Sequence, residues 1–135
     1  MSRDEAAKTG SRKRLLIVDD DALMIALYRS IFRRLAAEFD CEFEQSGAAA
    51  VARLARERFD AVVMDWDMGG LSGLEILKAI RADPRTAGLR VFLITGRFDA
   101  ESRDLAIESG ADEYASKPFA IDDLLARLRG FFQTS

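Results

Sequence analysis

The chain has 135 residues, enough for one domain with a single core, and its 49% hydrophobic and 32% charged residues mark a globular protein. A net charge of −3 gives no electrostatic case for direct nucleic-acid binding, and the absence of histidine excludes Ser-His-Asp triads, histidine metal sites and a phosphohistidine on this chain. The longest apolar stretch, Ala22 to Tyr28, is far short of the ~20 residues of a membrane span. No apolar signal region opens the chain, and one cysteine, Cys41, excludes an internal disulfide, so a reducing cytoplasm is the expected location.

Residues 1–13 are polar and aperiodic and read as a flexible N-terminal tail, followed by one domain over 14–132 and a short tail at 133–135. Leu15-Leu16-Ile17-Val18 is a four-residue apolar run of the kind that a strand buried on both faces requires. A first helix follows Asp21, with Leu23, Leu27, Ile31 and Leu35 at helical spacing. Cys41 to Gln45 reads as a short second strand, and Ser46 as the cap of a helix carrying Val51, Leu54 and Ala55. Ala61-Val62-Val63-Met64 forms the third strand, and a helix from about Leu74 to Arg81 stops before Asp83-Pro84. Val91-Phe92-Leu93-Ile94 is the fourth strand, followed by a helix over roughly Ala100 to Ser109 that Gly110 ends. Glu113 to Ser116 is the fifth strand. The last helix has the clearest stripe: Ile121, Leu124, Leu125, Leu128, Phe131 and Phe132. Five βα units predict a doubly wound α/β fold around a parallel sheet, with helices on both faces.

Such folds bind ligands at the carboxyl ends of their strands, and the notable polar residues fall there. Asp19 and Asp20 end the first strand, Asp65 and Asp67 the third, Thr95 the fourth, and Lys117 the fifth. Crowded carboxylates repel one another unless a cation neutralises them, and Mg2+ (or Mn2+) accepts carboxylate oxygens, waters and phosphate together. Asp65 then reads as a nucleophile that takes a phosphoryl group as an acyl phosphate, with Lys117 neutralising charge and Thr95 donating a hydroxyl. Singly each residue has a plainer reading: Asp21 as a helix cap, Thr95 as a turn residue, Trp66 as core. Their joint occurrence at the strand ends carries the signal.

In LLIVDDD, VVMDWDM, LSGLEILKAIR, VFLITG, GADEY and SKPF the chain resembles the receiver domain of two-component response regulators, the chemotaxis-type fold. The resemblance covers about residues 14–132. It implies a flavodoxin-like five-stranded parallel sheet in the order 2-1-3-4-5, with five helices. It implies Asp65 as the phosphorylation site and Asp19, Asp20, Asp65 and the backbone carbonyl of Asp67 around Mg2+, with Asp20 the direct ligand of the acidic pair. It also implies Thr95 and Tyr114 as the switch pair, Lys117 as the phosphoryl-contacting lysine, and a cis Lys117-Pro118 bond. The implied donor is a phosphohistidine on a sensor histidine kinase or phosphotransfer protein, which docks near the first helix, where Met24, Leu27, Tyr28 and Ile31 are candidates. The target is a downstream protein that the sequence does not name.

One departure from the family pattern and two variable positions beside the pocket bear on kinetics. Met68-Gly69-Gly70 stands where the family commonly has Met-Pro, which loosens the loop. Asp67 and Arg97, two residues after Asp65 and Thr95, are expected to pair across the pocket and tune the rate at which water removes the phosphoryl group. Arg103, Asp112, Glu113, Asp123 and Arg127 resemble the charged face, built from the fourth helix, fifth strand and fifth helix, through which many receivers form homodimers. Output is expected through binding on this surface or on a domain outside the sequence. Two other readings stay open: a degenerate receiver acting as an unphosphorylated scaffold, and a phosphatase of the haloacid dehalogenase type, whose Asp-x-Asp motif Asp65-Trp66-Asp67 fits.

Overall fold

The computed structural model describes residues 12–96 and 99–133. The proposed 1–13 tail therefore lies mostly outside the described residues, as does Arg97. Five parallel strands, β1 (Lys13–Val18), β2 (Phe39–Glu44), β3 (Ala61–Asp65), β4 (Arg90–Thr95) and β5 (Glu113–Ser116), form one sheet in the order β2-β1-β3-β4-β5. Five helices alternate with them: α1 (Ala22–Arg33), α2 (Gly47–Leu54), α3 (Gly73–Ala82), α4 (Ala100–Glu108) and α5 (Ile121–Phe131). This is the doubly wound, flavodoxin-like arrangement expected from the alternating pattern.

Successive side chains of a strand point to opposite faces, and β1 divides its apolar run accordingly. Leu16 and Val18 join a core with Ala50 and Leu54 of α2, Ile76, Leu77 and Ile80 of α3, and Ala106 of α4. Leu15 and Ile17 join a second core with Tyr28 and Phe32 of α1 and Leu124, Leu125 and Leu128 of α5. Helices thus cover both faces of the sheet and leave the carboxyl ends of its strands open.

Local signals agree with the boundaries. Asp21 caps α1 by accepting from the Leu23 N–H at 2.9 Å, Ser46 caps α2 through Ala49 N–H at 3.0 Å, and Ser72 and Glu75 form a reciprocal capping box on α3. Strand β2 starts two residues earlier than expected, because Phe39 is buried against Phe32.

One expectation fails. The predicted stripe of α1 ran through Leu23 and Leu27, but Leu23 is 81% exposed and Leu27 47%. The helix instead buries Ile25, Tyr28 and Phe32. Every residue from Ala22 to Tyr28 is apolar, so periodicity there cannot select a face.

Candidate phosphoryl and metal site

Four strand ends bring the polar residues together. Beyond β1, the Asp19 N–H continues the ladder to Glu44 O at 3.1 Å. Beyond β3, Trp66 N–H donates to Ile94 O at 2.8 Å, and beyond β5, Lys117 N–H donates to Thr95 O at 2.7 Å. Gly73, at the start of α3, lets the helix press on the end of β3. A Cβ there would lie 2.6 Å from the Asp65 carbonyl oxygen and 2.9 Å from Trp66 Cα, so only glycine fits. Gly70 has φ +82°, a left-handed turn that its loop uses before α3.

Asp19, Asp20 and Asp65 each offer a carboxylate oxygen within 4.8 Å of the others. Asp19 and Asp65 are buried, whereas Asp20 is exposed. Each is held by a backbone donor: Asp19 Oδ1 accepts from Asp21 N–H at 2.9 Å, Asp65 Oδ1 from Asp67 N–H at 3.1 Å, and Asp20 Oδ2 from Gly69 N–H at 3.0 Å. Lys117 Nζ donates to Asp65 Oδ2 at 2.8 Å and lies 3.8 Å from Asp19 Oδ2. The Lys117-Pro118 bond is cis, as expected.

The charges shape one another. Burial raises the Asp19 carboxyl above its ordinary range; the Asp21 N–H and Lys117 oppose that rise, while Asp65 and Asp20 add to it. Burial disfavours the Lys117 ammonium, yet the hydrogen bond and charge of Asp65, with Asp19 and Asp21 behind it, raise it above an ordinary lysine. Three carboxylates against one ammonium leave the pocket anionic. A hard divalent cation with oxygen-rich coordination fits that donor set, and a zinc site built on Cys and His does not.

Thr95 is fully buried, and its hydroxyl donates to Asp67 Oδ2 at 3.2 Å. Tyr114 is half-buried and packs edge-to-face on Trp66, with ring centroids 6.3 Å apart at 84°. The structure therefore gathers Asp19, Asp20, Asp65, Asp67, Thr95 and Lys117 at one edge, with Tyr114 packed on Trp66, which directly follows Asp65. Sequence reading missed three features here. The Asp67 carboxylate engages Thr95, and the Gly69 N–H engages Asp20. Tyr28 is buried close enough to Asp19 and Asp65 that burial first, then their charges, raises its phenol. A tyrosine within an otherwise aliphatic run was the one available hint.

The family model of the response regulator receiver domain matches residues 15–129. The chain belongs to that family. This receiver is 36% identical over 121 residues to response regulator MprA of Mycobacterium sp. (strain KMS), covering 89% of this chain and 50% of that protein. It is 33% identical over 118 residues to the DNA-binding response regulator MtrA of Mycobacterium tuberculosis (strain CDC 1551 / Oshkosh), covering 87% and 50%. The receiver thus spans about half the length of the curated relatives it matches. Its fold matches the Francisella response regulator 1452 receiver domain with a TM-score of 0.82 at 26% identity, over 90% of this chain and 97% of that one. Among the described residues no helix is long and apolar enough to cross a membrane.

Proposed function

We propose that the chain accepts a phosphoryl group on Asp65 from a phosphohistidine of a sensor kinase or phosphotransfer protein, and that the acyl phosphate switches a protein-binding surface through Thr95 and Tyr114. In the transfer, an Asp65 oxygen forms the new bond to phosphorus as the bond to the donor's imidazole nitrogen breaks, and the imidazole leaves. In hydrolysis a water oxygen forms a bond to phosphorus as the bond from phosphorus to the Asp65 oxygen breaks, which releases inorganic phosphate and a proton and restores the carboxylate. Asp19, Asp20 and Asp65 would hold Mg2+, or Mn2+, which neutralises the transferring phosphoryl oxygens. Lys117 supplies the second cation and has three donors to distribute between Asp65 and a phosphoryl oxygen. The observation that carries this reading is a buried Asp65 clustered with two further carboxylates and an ammonium at 2.8 Å.

Exposed Leu23 and Leu27, beside the cap residue Asp21, suit the docking side of the phosphohistidine partner. The face proposed for homodimers is already engaged within the chain. Asp112 accepts from Arg81 at 2.9 Å and Arg90 at 3.3 Å, and Arg127 meets Glu113 and Asp123, each at 3.2 Å. Asp67 tunes the lifetime of the acyl phosphate.

Trp66 adjoins Asp65 and is the only tryptophan, so its fluorescence reports on the site. Titration with Mg2+ should give one saturable change, and a small phosphodonor a second change that is lost in Asp65→Asn. Phosphate retained in that variant at another residue would remove the assignment. A Mg2+ response with no second step would favour the unphosphorylated scaffold.

A further inference from the structure

Asp67 touches both halves of the site. Its backbone N–H donates to Asp65 Oδ1 at 3.1 Å, and its side-chain Oδ2 accepts the Thr95 hydroxyl at 3.2 Å. A hydroxyl carries one hydrogen, so Thr95 cannot donate to Asp67 and to a phosphoryl oxygen at once. Thr95 is fully buried, where a hydroxyl gains from keeping an acceptor, and the Asp67 carboxylate supplies one. At 3.2 Å the bond is longer than the ~2.5–2.7 Å of strong hydroxyl–carboxylate bonds.

We infer that the Asp67 carboxylate is a latch on Thr95: it competes with the phosphoryl group for the one hydrogen of that hydroxyl and biases the chain toward its unphosphorylated state. This rests on Asp65 being the phosphorylated residue. An anionic group arriving on Asp65 repels the Asp67 carboxylate and offers Thr95 a rival acceptor. The two events weaken the latch together. Asp67 acts here as a positioning residue, through Thr95, in addition to any effect on attacking water.

The test is the affinity of the full chain for beryllofluoride, a stand-in for the phosphoryl group on Asp65, in saturating Mg2+ with Trp66 fluorescence as readout. Asp67→Ala should tighten it three- to tenfold. Asp67→Asn keeps an oxygen that accepts from Thr95 and loses the charge, so it should fall between the two. In a Thr95→Val background, which has no hydrogen to contest, Asp67→Ala should give a smaller gain, that of lost charge repulsion alone. Unchanged or weaker binding by Asp67→Ala would overturn the latch. So would a gain of equal size in Asn and Ala that survives Thr95→Val, because charge repulsion alone then explains it. A wild-type chain that binds Mg2+ but not beryllofluoride would remove the phosphorylation reading, and the latch with it. Urea denaturation of each variant guards against a folding defect.

Discussion

Lys117 Nζ sits 2.8 Å from Asp65 Oδ2 and 3.8 Å from Asp19 Oδ2, so one ammonium serves two buried carboxylates. It also repels any cation bound beside them. Lys117→Ala should therefore leave Mg2+ affinity equal or tighter while abolishing the response to beryllofluoride, both read from Trp66 fluorescence. Without Mg2+ the variant should be less stable by about 1–3 kcal/mol, since Asp65 loses its charged partner, and Mg2+ should restore most of the loss. Mg2+ affinity weakened tenfold would show that the lysine organises the metal pocket instead.

At Gly73 a methyl group would meet the backbone of the residue that carries the proposed chemistry. Gly73→Ala should cost about 1–3 kcal/mol in urea denaturation, the usual range for overpacking, despite alanine's better helix propensity. Mg2+ binding should weaken alongside, because the Asp65 backbone must move. An unchanged midpoint would mean that the start of α3 gives way freely.

Two residues of α1 test its orientation. Phe32→Ala removes a buried ring that packs edge-to-face on Phe39 and should cost about 3–5 kcal/mol. Leu27→Ala, on the exposed side, should stay within about 0.5 kcal/mol. If Leu27 lies against a phosphohistidine partner, its loss should instead slow transfer from that partner while leaving small phosphodonors unaffected.

Glu38 accepts from Arg129 Nε at 2.7 Å and Nη2 at 2.8 Å, tying the segment between α1 and β2 to α5. The hydrogen bonds from Arg129 hold the Glu38 carboxyl below its usual range. A lowered carboxyl stabilises the fold above the unfolded value, near 4.5, and that contribution disappears as pH falls through the folded value. Both side chains are well exposed, so the pair is worth at most about 1 kcal/mol. Glu38→Gln should lower stability by up to that amount at pH 7 and approach the wild type as pH falls through the folded value of Glu38. A difference that persists in acid would point to packing, not charge.

The sheet was legible because its central strands are short unbroken apolar runs, each stopped by a polar residue, and the strand order followed from the family likeness. Asp19, Asp20, Asp65 and Thr95 were legible for the same reason, since they sit where those runs stop, whereas Lys117 follows the polar fifth strand and was legible from its Lys-Pro and the family likeness. The face of α1 was not, since an unbroken apolar stretch has no phase and only packing on β1 and β2 decides which side is covered. The part played by the Asp67 side chain was equally hidden. It depends on a carboxylate reaching across from one strand end to a hydroxyl at the next, a distance of 28 residues in sequence that no local pattern encodes.

Helix α4 buries only Ser102 and Ala106, two of the smallest side chains on any of the five helices, and leaves Leu105 and Ile107 exposed. Large core side chains interlock with their neighbours, and displacing them opens voids; a serine and an alanine leave almost nothing behind when they slide. The helix that follows Thr95 in the chain thus meets the core through two small side chains, and little of its seat depends on interlocking shapes.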